Sequence, residues 1–289
     1  MNLSDVSIIG TGALGSALAA ALQGLGMSVR SIYNRTSSKS RILAEKLDVQ
    51  QWGTFPGEAE ELGRMIFLTV PDDSIAGVAE QLSLLQDDWS DHAVVHCSGS
   101  KPSAVLGVLN EKGAVTAAFH PLQTFTGASS PASFRGIYFS MEGNRNLLET
   151  LGELAERLEA RTLEITAGGK RYLHAAAVMA SNYLIALLHL SEQVAGLGGM
   201  DARQARRALL PLVRQSLEHA ERGALSGALS GPVARGDSGT IQGHLELLEP
   251  DADLLLLYQK LGLQALKLAK QKGTLTPGQI SELETLLST

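Results

Sequence analysis

Residues 6–36 constrain this chain more than any other stretch. The apolar run 6–9 leads into Gly10-x-Gly12-x-x-Gly15, a segment rich in Ala and Leu follows, and a second run, 28–33, ends at Asn34-Arg35-Thr36. A G-x-G-x-x-G triplet is informative when it sits directly after a strand and directly before a helix, as here. The first glycine then permits a tight turn, the second lets the backbone approach a pyrophosphate, and the third lets the helix pack closely on the strand. Free N–H groups at the helix start, reinforced by the helix dipole, face the anion. The loop of Gly10, Thr11, Gly12, Ala13, Leu14 and Gly15 is therefore the expected cradle of a dinucleotide. The alternative is a glycine-rich turn that holds nothing.

The end of the second run points to one form of that ligand. NAD-binding units place Asp or Glu about 20 residues beyond the glycines, where it accepts hydrogen bonds from the ribose. Here the residue is the uncharged Asn34, followed by Arg35, Thr36, Ser37, Ser38 and Lys39. A carboxylate would repel a 2′-phosphate, whereas Arg35 can grip one bidentately and the hydroxyls can donate to it. NADP is thus expected over NAD, with a plain polar surface loop as the alternative.

Apolar runs of strand length recur at 65–70, 93–97, 114–119, 136–141 and 162–165, separated by helical patterns at 38–47, 75–82, 104–110 and 144–159. Such alternation predicts α/β architecture: a doubly wound parallel sheet of Rossmann type. Beyond Gly168-Gly169 no strand pattern returns, and helices are expected over 170–194, 201–222 with Pro211 inside, 238–248, 251–272 and from Thr276-Pro277 onward. Two domains follow: residues 1–167 bind the nucleotide, and residues 168–289 form an all-α half that serves substrate and dimerisation.

Composition narrows the classes. A net charge of −6 argues against a nucleic-acid partner. The single cysteine, Cys97, cannot form an internal disulfide or a cysteine zinc cluster, and no metal site is expected. The start of the chain carries no basic-then-apolar leader, so a cytoplasmic location is expected. The most apolar stretch, 172–190, contains His174, Ser181, Asn182 and His189 and reads as a buried helix rather than a membrane span.

Chemistry is sought at the carboxyl ends of strands. Val70-Pro71-Asp72-Asp73, His96-Cys97-Ser98-Gly99-Ser100 and His120-Pro121-Leu122 would rim a nicotinamide there. Ser98 or Ser100 can hydrogen-bond substrate or ribose. His120 is either a site residue or a structural histidine fixed by Pro121. On the helix after the boundary, Lys170, His174 and Ser181 fall within about 40° of one stripe, with Asn182 about 120° away. Polar residues on an otherwise apolar helix need partners or a wet cleft, here one between the two domains. Lys170 can protonate a carbonyl as it is reduced and Asn182 can hold its oxygen. The alternatives are an exposed Lys170 and a satisfied core His174. Arg235, in a Gly/Pro loop, either contacts an anionic ligand or is structural.

The strings IIGTGALGSALA, NRT, VPDD, HCSGS, HPLQTF, AAAVMASNYLIALL and GPVARGD together resemble Rossmann-like proteins whose helical C-terminal half is a domain of unknown function, family 2520. That group resembles in turn pyrroline-5-carboxylate reductase, ketopantoate reductase, and the 6-phosphogluconate and β-hydroxyacid dehydrogenases. The resemblance implies NADP on Asn34, Arg35 and Thr36, the Val70-Pro71 and Ser98-Gly99 loops beside the nicotinamide, and dimers joined through the helices. In β-hydroxyacid enzymes a helical-domain Lys four residues from an Asn moves the proton; here the residue four beyond Lys170 is His174, and the amide is Asn182. The expected activity is NADP-dependent hydride transfer to or from a small carbonyl, imine or hydroxy compound, with Lys170, His174 or His120 as acid/base and Asn182 and Ser98 orienting. The alternative is an NADP(H)-binding sensor or assembly protein without turnover.

Overall fold

A computed structural model describes residues 5–127 and 129–288. The chain divides into two compact units, Met1–Asn182 and Tyr183–Thr289.

In the first unit eight strands form one sheet: β1 (Asp5–Ile9), β2 (Ser28–Tyr33), β3 (Gln51–Gly53), β4 (Met65–Leu68), β5 (Ala93–His96), β6 (Val115–Pro121), β7 (Tyr138–Gly143) and β8 (Arg161–Glu164), in the order 3-2-1-4-5-6-7-8. Strands β1 to β6 pair in parallel. Helices α1 (Ala13–Gly24), α2 (Ser37–Leu47), α3 (Ile75–Ser83) and α4 (Gly107–Asn110) lie in the connections. The strand order reverses between β1 and β4, which opens a crevice at their carboxyl ends.

The expectation of a wholly parallel sheet fails at one place, because β7 runs antiparallel to β6. A parallel return needs a crossover element. Among the described residues the connection here carries only a 3-10 turn, Pro131–Phe134, and the chain doubles back. The Phe119 and Phe139 rings stack at 4.0 Å across this pair. Helix α5 (Arg145–Arg157) then supplies a true crossover, and β8 lies parallel to β7. At three residues, β3 is too short to show an alternating pattern in the sequence.

Alternation along each strand sorts the core onto two faces. Ile8, Phe67, Val95, Phe119 and Met141 pack under α1, α2 and α5. Ile66, Leu68 and Val94 pack under α3 and α4. On that second face the lining turns polar from the end of β5 onward: His96, Thr116, Ser140 and Glu142 are all buried there. Buried polar groups on a sheet face must be satisfied or serve a site. Helix α6 (Gly169–Ala180) follows β8 and belongs to this first unit.

The second unit holds most of α7 (Asn182–Leu197), then α8 (Ala202–Glu221), α9 (Leu225–Ala228), α10 (Pro232–Arg235), α11 (Ser238–Leu248), α12 (Ala252–Lys272) and α13 (Pro277–Ser288). Asp201 and Gln204 form a reciprocal capping box at the start of α8, which runs through Pro211. Glu192, buried, receives Arg206 bidentately at 2.6 and 3.0 Å. Ile241, Leu266, Leu283 and Leu287 form the core.

The apolar stretch 172–190 is not buried as its composition suggested. A break at Ser181 separates α6 from α7, and Tyr172, Met179, Tyr183 and Ile185 are each more than 60% exposed. Residues Gly169–Leu197 are the one stretch among the described residues long and apolar enough to cross a membrane.

Candidate active site

The glycine loop is built as its sequence requires. Gly10 has φ +110°, and its N–H donates to Tyr33 O at 2.8 Å. A methyl at Gly15 would land on the Gly10 carbonyl oxygen and the Thr69 hydroxyl. Gly12 caps α1 with nothing within 4 Å of its missing side chain, so the helix N-terminus is open on that side. Thr11 is buried, and its Oγ1 has no hydrogen-bond partner among the described residues. Its N–H donates to Asn34 Oδ1 at 3.3 Å, which ties the loop to the end of β2. Arg35, Thr36 and Lys39 are exposed, and Arg35 makes no ion pair or side-chain hydrogen bond among the described residues. An open glycine, an orphaned buried hydroxyl and a free guanidinium on one rim fit a dinucleotide phosphate chain and a further phosphate.

Thr69, immediately after β4, went unrecognised in the sequence. Its Oγ1 donates to Gly10 O at 2.6 Å and locks the loop onto the neighbouring strand. Val70 is half-buried and Pro71 exposed at the same strand end.

The loop after β5 is a network. His96 Nε2 lies 3.2 Å from Pro102 O, and Ser98 N donates to His96 Nδ1 at 3.2 Å, so the ring is the neutral tautomer with its proton on Nε2. Burial, and then the Lys170 charge, hold this histidine down at about 4. The Ser98 hydroxyl accepts the N–H groups of Ser100 and Lys101 at 3.1 and 3.0 Å, leaving its own proton to donate. Ser100 donates to Asp72 at 2.6 Å. Burial pushes the Asp72 carboxyl up, but bonds from Ser100 and Ser98 outweigh it and leave the group below its ordinary value. Cys97 is buried on the opposite face, its thiol pushed up to about 12 by burial, which makes it a poor nucleophile at neutral pH.

Gly99 lies where two imidazoles meet. A methyl there would stand 2.6 Å from His174 Nδ1 and 2.8 Å from His120 Nε2. The two rings face each other edge-on at 6.0 Å. Burial, then the Lys170 and His174 charges, hold His120 down at about 4, so it is neutral at pH 7. His174 Nδ1 is buried without a partner among the described residues, so it is not a satisfied core histidine.

Lys170 is fully buried rather than exposed at a helix start, and its Nζ has no hydrogen-bond partner among the described residues. Burial lowers it below the ordinary lysine range, while the charges of Glu142, Cys97 and Asp72 pull the other way. Lys170, His174 and His120 are thus gathered in one place.

Asn182 is not. At 1.5 Å per residue it lies about 18 Å along the helix axis from Lys170. It is exposed and accepts a hydrogen bond from Ser181 at 2.9 Å. The two cannot hold one carbonyl oxygen, and the shared role expected for them is corrected on that ground. Asn182 does line a hollow of about 610 Å³, together with His120, His174, Leu122, Leu173 and Ser181. Arg235, in the second unit, is exposed and 3.9 Å from Asp237, whose carboxylate caps α11.

Residues 2–121 match the Rossmann-like domain family, and residues 137–265 match a domain of unknown function, DUF2520. No curated protein matches the chain. Among solved structures it is similar to a provisionally assigned NADP oxidoreductase of Bacteroides fragilis, with TM-score 0.75 and 23% identity over 91% of this chain and 98% of that one. A protein of Thermotoga maritima gives 0.72 and 25% over 92% and 99%. A reductive aminase of Aspergillus terreus, solved with NADPH and ethyl-5-oxohexanoate, gives 0.64 and 16% over 97% and 98%. The chain is therefore a Rossmann-like protein with a C-terminal DUF2520 domain.

Proposed function

We propose that this protein is an NADP-dependent oxidoreductase that acts on a small carbonyl, imine or hydroxy compound seated in the hollow beside His120 and His174. The observation that carries the reading is Lys170: a buried amine with no partner, on the polar face of the sheet, one helical turn from His174. An unpaired buried charge is costly and is kept for a reason. The likeness to the Bacteroides and Aspergillus proteins supports the same reading.

Gly10, Thr11, Gly12, Ala13, Leu14 and Gly15 would hold the pyrophosphate, Asn34, Arg35 and Thr36 the adenosine phosphate, and Val70, Pro71, Ser98 and Gly99 the nicotinamide end. The cofactor, when bound, supplies hydride as NADPH or accepts it as NADP+. Lys170 gives its proton to the carbonyl oxygen or imine nitrogen as that bond is reduced, and burial eases the release by lowering its affinity for the proton. His120 and His174 orient the substrate from the wall of the hollow. Ser98, on the same loop, orients the nicotinamide end. The test is oxidation of NADPH against a panel of small ketones, imines and keto acids. NADPH binding with no turnover on any of them would overturn the enzyme in favour of a sensor.

Arg35→Ala is expected to weaken NADPH about 10- to 100-fold, the worth of a charge-assisted phosphate contact. NADH affinity should hold. Fluorescence titration with both reads the difference, and parallel losses would remove the 2′-phosphate from Arg35.

The partner assigned to the exposed apolar side chains of α7, Tyr183, Ile185 and Leu187, is a second copy of this chain. Sedimentation velocity should give twice the mass of one chain; a single-chain mass at micromolar concentration would refute the dimer.

A further inference from the structure

The register of β5, β6 and β7 places three residues in one row across the sheet: His96 pairs with Ala118, and Ala118 pairs with Glu142. Residues paired across strands point to the same face. A methyl therefore lies between two long polar side chains on a buried face. Both flanking residues are tied to one short segment. His96 meets the Pro102 carbonyl, while Glu142 accepts the Ser103 N–H and, at 2.8 Å, the Ser103 hydroxyl. Glu142 is 8% exposed and forms no ion pair among the described residues. Helix α6 lies over this same face, because its His174 meets His120, whose β7 partner Ser140 is two residues from Glu142. Lys170, one helical turn from His174, is fully buried and has no hydrogen-bond partner among the described residues, and Glu142 leads the charges that oppose the effect of its burial.

We propose that Glu142 is a positioning residue for Lys170: its carboxylate, anchored by Ser103, keeps the buried amine loaded with the proton that the reaction consumes. The inference deepens the proposed function and rests on its reading of Lys170 as the proton donor. Other groups facing the amine do this less well. His96 from β5 and His120 from β6 are neutral at pH 7. Cys97, on the opposite face of the sheet, keeps its thiol proton at that pH. Asp72, on the loop after β4, is engaged by Ser100 at 2.6 Å. His174, on the same helix as Lys170, brings no negative charge. Burial loosens the hold of an amine so placed on its proton, and a fixed carboxylate nearby opposes that. The chain thus balances a proton loose enough to leave against one held long enough to be there.

Glu142→Gln keeps an oxygen to accept from Ser103 and removes the charge. In nucleotide-free protein carrying 13C-labelled lysine, with Lys170→Arg to assign the signal, the titration midpoint of Lys170 should fall by about one unit, tenfold in the ratio of its two forms. The alkaline limb of the kcat/KM profile should move down by the same amount, since turnover needs the protonated amine. Ser103→Ala, which loosens the carboxylate without removing it, should shift both the same way but less, and stands in should Glu142→Gln fail to fold. A midpoint unmoved in the folded variants overturns the role of Glu142, whatever Lys170 does. A midpoint that moves in an enzyme whose Lys170→Met variant keeps its rate leaves Glu142 its hold on the amine, and the reading of Lys170 as proton donor falls instead.

Discussion

Lys170→Met should reduce kcat for the NADPH-dependent reaction by about 100- to 10,000-fold, the usual contribution of a positioned general acid. NADPH affinity should not change, because the substitution leaves the glycine loop and Arg35, assigned to the phosphates, untouched. The same substitution should raise the melting temperature. It replaces a fully buried amine that has no partner among the described residues with an apolar chain of similar length. Lys170 stays below the ordinary lysine range, so burial outweighs the attraction of Glu142 and Asp72, and removing the amine relieves a net desolvation cost. A gain in stability with a loss of rate is the mark of a residue kept for chemistry. Steady-state kinetics and thermal unfolding read the two halves, and a variant that keeps its rate would end the assignment.

Gly15→Ala and Gly12→Ala should separate folding from binding within one loop. The Gly15 methyl has nowhere to go. The Gly10 carbonyl that it meets accepts the Thr69 hydroxyl at 2.6 Å, Gly10 N–H is bonded to Tyr33 O, and Thr69 N–H is bonded to Ile9 O, the last two at 2.8 Å. Overpacking against so fixed a frame costs about 1–3 kcal/mol or more, and the cradle must open to relieve it, so nucleotide binding should be lost with it. At Gly12 the methyl meets nothing within 4 Å. Stability should stay within about 0.5 kcal/mol of the parent, while NADPH affinity falls because the methyl takes the space above the first turn of α1. Unfolding curves and titrations with NADPH decide both. A Gly12→Ala protein that binds normally would show that the pyrophosphate lies elsewhere.

The cradle was legible because everything it needs is contiguous: strand, three glycines, helix, second strand and a basic end. The fold followed from alternation, except where β7 reverses, since the sequence shows a strand but not which way it runs. The polar face was harder to read. Thr69 acts through a contact with another loop, which no local pattern shows. Glu142 could have been found. In Phe139-Ser140-Met141-Glu142 the apolar residues fill one face, which puts a serine and a carboxylate side by side on the other. That alternation signals a buried polar side as plainly as an exposed one. Asn182 misled for a different reason. The wheel already set it about 120° from Lys170, and the separation along the axis, which a wheel discards, rules out a shared carbonyl over twelve residues.

The glycine between His120 and His174 limits how this hollow can change. Any side chain at residue 99 would stand within 3 Å of both imidazoles and have to evict one. Adapting the hollow to a larger or differently shaped compound is thus closed off beside those rings. It must proceed through the walls, at Leu122, Leu173 and Val178, where side chains can be trimmed or enlarged without disturbing the groups beneath.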